Sequence, residues 1–308
     1  MFGSKHSLME DPCLFLALFL LLLAAVANET KPGCNSSCGD LKVPYPFGIG
    51  DGCFLEGFDI ICVDSYSPPK PFLRDFEVVN ISLAQNQVSI KNSVAHTSWG
   101  FNVTDDANYT ARIDLTDTQF AFSNTANKFT VTGCNSLGLI QLGEVRSGCF
   151  SICSNSNNKF DPEGNNNEPC SGFGCCQTPI FNGLKSLATS IVNIFNESVL
   201  NDDLNEKENS TSYQCGYAFL VDITSYVFES SDLDQCSSSK IENSRVVLDW
   251  VIGNQTCEEA QKNSATYACK ENSNCDEYDP DNGVPGYRCS CKQGYQGNPY
   301  LKPGCQSY

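Results

Sequence analysis

Cys38-Gly39-Asp40-Leu41-Lys42-Val43-Pro44-Tyr45-Pro46-Phe47-Gly48-Ile49-Gly50 is the stretch from which this chain is read. It runs on through Gly52-Cys53 to Phe58-Asp59-Ile60-Ile61-Cys62. Its prolines and glycines shape a turn-rich platform that disulfides close. Strand signals follow. Val79-Asn80-Ile81-Ser82-Leu83, then Ala84 to Gln87, then Val88-Ser89-Ile90 reads as a hairpin with alternation on both arms. Phe129-Thr130-Val131-Thr132 alternates in the same way before Gly133-Cys134, and prolines 68, 69 and 71 punctuate the loops between. The expectation is a β-rich domain over 28–135, an ordinary domain size.

Working outward, residues 1–27 read as a signal peptide. Lys5 supplies a positive charge, Leu14 to Ala27 is unbroken apolar sequence, and Ala25-Val26-Ala27 is a small-residue cleavage site. The run is shorter than the roughly 20 residues a membrane span needs. Later segments are shorter still, and Val246 to Ile252 carries Asp249, so no span is expected. Of 19 cysteines, Cys13 leaves with the leader and an even number remains, which in an exported chain reads as a disulfide framework. The competing reading, zinc sites, meets only one histidine beyond the leader, His96. Acceptor sequons at Asn35, Asn80, Asn102, Asn108, Asn196, Asn209 and Asn254 point to N-linked glycans on exposed loops; an eighth, at Asn28, lies at the cleavage point. The expected location is secreted and extracellular.

The middle stretch, 136–250, is cysteine-rich and expected to be β-rich. Asn155 to Asn167 reads as a long polar loop. Leu184, Leu187, Ala188, Ile191, Phe195 and Val199 fit helical spacing, yet Ile191-Val192 and Ile194-Phe195 suit a strand, and the pattern leaves both open. Tyr217 to Ile223 and Val246 to Ile252 read as buried strands. Adjacent Cys175 and Cys176 are expected to bond different partners, because a bridge between neighbours is strained.

In the last stretch, 251–308, Cys257, Cys269, Cys275, Cys289, Cys291 and Cys305 are separated by 11, 5, 13, 1 and 13 residues, with Gly294-Tyr295-Gln296-Gly297 beyond the fifth. This resembles an epidermal-growth-factor-like module. The resemblance implies bridges Cys257–Cys275, Cys269–Cys289 and Cys291–Cys305, which a module too small for its own core depends on. The residues before Cys257, Val251-Ile252-Gly253-Asn254-Gln255-Thr256, lack the carboxylates that calcium-binding members place there, so no metal site is expected.

The net charge of −17 is concentrated in 161–256, which carry 4 Lys+Arg against 14 Asp+Glu. Such a chain is no partner for nucleic acid. No nucleophile elbow, phosphate loop or nicotinamide fingerprint occurs, and any histidine-based triad would have to use His96. Neither catalysis nor a cofactor is expected.

The opening stretch, with Ser171-Gly172-Phe173-Gly174-Cys175-Cys176-Gln177-Thr178-Pro179-Ile180, Val247-Leu248-Asp249-Trp250 and Gly294-Tyr295-Gln296-Gly297-Asn298-Pro299-Tyr300, resembles the ectodomain of plant wall-associated receptor kinases. The order is a galacturonan-binding domain, a cysteine-rich segment and a growth-factor-like module. In that family a membrane helix and a kinase follow; none occurs in these 308 residues, so the expectation is a wall-localised binding protein, anchored only if it is a fragment of a longer receptor. The resemblance implies cell-wall pectin, a polymer of galacturonate, as the ligand. An acidic protein would hold it through local cations or bridging calcium, the cations being Lys42, Lys70, Arg74, Lys91, Arg112 and Lys128. Tyr45, Phe47, Phe54 and Trp99 are candidates for stacking on sugars, with core packing the stronger reading for the phenylalanines. Lys42, Tyr45, Lys70 and Arg74 are the selected ligand-binding residues. The alternative is a secreted module that binds a peptide or another extracellular protein, as a soluble competitor of full-length receptors. The two readings differ in salt dependence.

Overall fold

A computed structural model describes residues 29–99, 109–142, 145–153, 170–194, 214–233, 239–278 and 285–307. The sequons at Asn28, Asn102, Asn108, Asn196 and Asn209, the signal peptide and the polar loop 155–167 lie outside the described residues. The first strands are β1 (Ser37–Cys38), β2 (Leu41–Lys42), β3 (Ile61–Val63), β4 (Lys70–Leu73), β5 (Phe76–Ser82) and β6 (Gln87–Lys91). Next come β7 (Ala95–Trp99), β8 (Ala111–Asp114), β9 (Phe120–Phe122) and β10 (Asn127–Thr132). Beyond residue 135 follow β11 (Ser136–Leu142), β12 (Val145–Ser151), β13 (Ser171–Phe173), β14 (Cys175–Pro179), β15 (Ser186–Asn193), β16 (Gln214–Asp222) and β17 (Arg245–Trp250). The C-terminal module contributes β18 (Ser273–Glu277), β19 (Tyr287–Cys291), β20 (Tyr295–Gln296) and β21 (Gln306–Ser307). The chain is mostly β and disulfide-rich.

Three large sheets carry the fold, ordered β3-β4-β5-β6-β17-β9, β12-β11-β15-β8 and β13-β14-β10-β16-β7. Strands from both sides of residue 135 meet in each of them. β17, for example, inserts antiparallel between β6 and β9, opposing Val246 to Ile90 and Leu248 to Val88 and Phe122. Its burial explains its composition: Val246, Leu248 and Trp250 are within the core.

The Leu184–Val199 ambiguity is settled over the described part. Residues 186–193 form a strand in which Leu187, Thr189 and Ile191 alternate inward. Pairing with β11 on one edge and β8 on the other supplies ladder partners that a helix would not need. Residues 195–199 lie outside the described residues.

Bridges tie the loops to this framework. They are Cys34–Cys53, Cys38–Cys62, Cys134–Cys153, Cys149–Cys176 and Cys170–Cys175. Cys215 is disulfide-bonded as well. Cys175 and Cys176 thus take separate partners. In the C-terminal module the bonds are Cys257–Cys275, Cys269–Cys289 and Cys291–Cys305.

That module is seated on the rest of the chain. The Tyr300 hydroxyl donates to Asn86 Oδ1 at 2.8 Å and accepts from the Cys289 N–H at 2.9 Å, all in the interior. Asn298 Nδ2 donates to the carbonyls of Glu29 and Tyr45, and Arg288 Nε donates to that of Trp250. The Tyr300 and Trp250 rings meet at 5.5 Å.

Candidate carbohydrate-binding face

The Val43–Gly50 motif sits mainly in the interior. Val43 and Phe47 are fully buried, and Phe47 packs edge-on against Phe58 and Trp250 at 5.1 and 5.7 Å. Phe120 joins the same group. Such ring pairs are each worth about 0.5–1.5 kcal/mol beyond their area burial. Gly48 bonds both ways with the 58–60 segment: its N–H reaches the Phe58 carbonyl and its own carbonyl accepts from Ile60. A Cβ on Gly48 would overlap the carbonyl oxygen of Cys53. Phe47 is therefore core, unavailable for stacking on sugar, and Phe54 packs against the same core.

Tyr45 lies between core and surface. Its ring is half-buried beneath the Lys31 ammonium, 4.8 Å from the ring centre, and burial pushes its phenol up. Lys31 also donates to the Gly52 carbonyl. Lys42 is exposed on β2, and this ribbon lies along β5 with Gly39 abutting Pro69. Arg74 is exposed at the β4–β5 turn with φ +55°. Among the described residues neither Lys42 nor Arg74 has an ion-pair partner. Lys70 does: its ammonium is 2.8 Å from Glu77 and 5.0 Å from the Tyr66 ring centre.

Beside Lys70 lies a surface that sequence reading missed. The ladder places Ile61 opposite Phe72 and Phe72 opposite Glu77, while Val63 faces Lys70. Directly opposed side chains share a face, so Ile61, Phe72 and Glu77 form one row across β3, β4 and β5. Tyr66 leans over it, its ring 6.2 Å from that of Phe72. Ile61 and Tyr66 are 51% and 47% exposed, far more than core strands tolerate. The signal in the sequence was Pro68-Pro69 and the short β3–β4 excursion, which carry Tyr66 onto this face; no local period marks it.

The other cations are dispersed. Arg112 on β8 pairs with Asp114 at 3.1 Å, and Thr116 with Arg112 holds that carboxyl below its usual range. Lys91 and Lys128 are exposed on β6 and β10. The side chain of Trp99 lies outside the described residues. His96 is exposed on β7 and stacked on Tyr109 at 5.3 Å. Among the described residues no group of three His, Cys, Asp or Glu side chains converges to hold a metal ion, and no helix is long and apolar enough to cross a membrane.

A disulfide-closed, β-rich domain with an aromatic side chain exposed on one sheet face is the class that these features define. Residues 34–92 match the wall-associated receptor kinase galacturonan-binding family. Wall-associated receptor kinase 2 of Arabidopsis thaliana is 32% identical over 293 residues, covering 94% of this chain and 36% of the relative. Wall-associated receptor kinases 3 and 1 of the same plant are 32% and 30% identical, covering 96% and 95% of the chain. The chain spans 36–39% of the length of these three relatives. No solved structure matches it. Along nearly its whole length the chain is thus similar to the wall-associated receptor kinases over the part of them that it spans.

Proposed function

We propose that this chain is a non-catalytic, extracellular pectin-binding unit that holds galacturonan on the outer face of β3–β5. The observation that carries the reading is the surface of exposed Tyr66 and Ile61 and half-buried Phe72, inside the segment that matches the galacturonan-binding family, with Lys70 over the Tyr66 ring and Arg74 in the turn that follows β4. Aromatic and aliphatic side chains suit the apolar face of a pyranose ring, and an unpaired guanidinium suits its carboxylate. Among the described residues Arg74 has no ion-pair partner, whereas the charge of Lys70 is already answered by Glu77.

Residues 34–92 carry 4 cationic and 7 acidic side chains, so the field over the domain as a whole repels a polyanion. Attraction therefore has to be local, or calcium has to bridge carboxylates of both partners, taking several of its 6–8 oxygens from the uronates. Similarity to receptor ectodomains supports a wall-side location for this binding.

Titration of the oxidised, glycosylated protein with oligogalacturonides, with and without calcium and across a salt series, tests the proposal. Saturable binding is expected, absent with neutral galactan. Arg74→Ala should weaken it about 2- to 5-fold at low salt, the worth of an exposed charge contact. Tyr66→Ala should weaken it at every salt concentration, because stacking is not screened. A folded protein that binds no oligogalacturonide in any of these conditions refutes the reading.

A further inference from the structure

Away from the β3–β5 face, a polar cleft of about 400 Å³ opens over β5, β6 and β17. Asn80 pairs with Ser89 and Ser82 with Gln87; on the next strand Val247 and Asp249 face Ser89 and Gln87. Opposed residues share a face. The floor is therefore a patch of amides and hydroxyls, while Val88, Ile90, Val246 and Leu248 fill the core behind it. Thr125 and Thr224 stand on the wall, and Arg245 closes one end with its Nε 2.8 Å from Asp222. Asp222 is also held by the Thr224 N–H and hydroxyl, so both charges at this end are already answered. What remains is hydrogen-bonding capacity for an uncharged polar ligand. Ser89 is only 7% exposed, yet among the described residues its hydroxyl has no hydrogen-bond partner, and neither do the side chains of Asn80 and Gln85.

Asn80 is exposed, lines this cleft and opens the sequon Asn80-Ile81-Ser82. We propose that Asn80 bears an N-linked glycan whose first N-acetylglucosamine folds back into the cleft, its acetamide and hydroxyls pairing with Ser89 and Gln85. Attachment takes place during export from a lipid-diphosphate-linked oligosaccharide. Asn80 Nδ2 forms a bond to the anomeric carbon, the carbon–oxygen bond to the lipid diphosphate breaks, and the amide gives up one proton. No group is oxidised or reduced. The docked sugar satisfies polar atoms that the protein leaves unpaired and shields the outer face of the central sheet. Its volume falls within the range of about 300–1,000 Å³ usual for small-ligand sites.

The test uses the whole chain expressed in a glycosylating host, with glycopeptide mass spectrometry for occupancy and a peptide N-glycosidase time course on native and denatured samples. The expected result is an occupied Asn80, released from native protein about tenfold more slowly than from denatured protein, equivalent to about 1.4 kcal/mol of docking. Gln85→Ala and Ser89→Ala each remove one side chain without a hydrogen-bond partner among the described residues, leave the sequon intact, and should speed native release at least partway to the denatured rate. An unmodified Asn80, a release rate indifferent to folding, or a slow rate that both substitutions leave unchanged overturns the proposal.

Discussion

Gly48 illustrates how one residue couples a motif to the fold. Its N–H and carbonyl both bond the 58–60 segment, and the carbonyl of Cys53 occupies the space a side chain would need. Gly48→Ala should destabilise the protein by about 1–3 kcal/mol, the usual penalty for overpacking, read from the urea midpoint. Two phenols give a second residue-scale expectation. Burial, with Asp232 as a further cause for Tyr226, pushes the ionisation of Tyr226 and Tyr300 far above the ordinary 10. In the unfolded chain these groups ionise near 10, so the folded state then binds more protons than the unfolded one. Stability owes nothing to this effect below pH 10 and falls above it, by about 1.4 kcal/mol per pH unit for each phenol. Lys185 and Lys270, pulled down by burial, act in the opposite sense only up to about their ordinary 10.5. Denaturant titration between pH 9 and 12 should show the decline; stability that stays level to pH 12 refutes it.

At the scale of the element, β15 is the informative case. A helix over this stretch would place Leu187, Ala188 and Ile191 on one face. The strand instead buries Leu187 and Ile191 and turns Val192 outward, 39% exposed. Leu187→Ala should therefore cost about 2–5 kcal/mol and Val192→Ala under about 1 kcal/mol, measured as equilibrium stability. Comparable losses at both positions would contradict the strand register. The β3–β5 face belongs to the same scale. Its row of Ile61, Phe72 and Glu77 exists only because three short strands align, and it is the ladder that converts scattered residues into a surface.

At the scale of the whole molecule, the C-terminal module is integral to the chain. Tyr300 satisfies Asn86 and the Cys289 amide in the interior, and Asn298 caps carbonyls of the N-terminal segment 253 and 269 residues away in sequence. One calorimetric transition is expected for the described core and this module together. Tyr300→Phe leaves two buried polar groups unpaired and should lower stability by about 1–3 kcal/mol. A separate low-temperature transition for the module in the unsubstituted protein would show that the seat is not cooperative. The stretch Gly294–Tyr300, which marked the resemblance to wall-associated kinases in sequence, is thus largely a docking element.

Several features were legible without a structure because their causes are local. Alternation along β5, β6 and β10 reports one apolar face, since successive side chains on a strand point to opposite sides. Cysteine density indicates a bridged molecule, and the distinctive 38–62 stretch carried the resemblance. What lay beyond local pattern was which distant strand meets which. That β17 enters the sheet of β6, that Phe47 becomes core instead of a binding ring, and that Tyr66 stands exposed beside Lys70 depend on partners far away in sequence. A strand's period states that it has a buried face; the identity of the neighbour covering it is a property of the assembled packing, so the exposed β3–β5 face and the Asn80 cleft arise only in the tertiary structure.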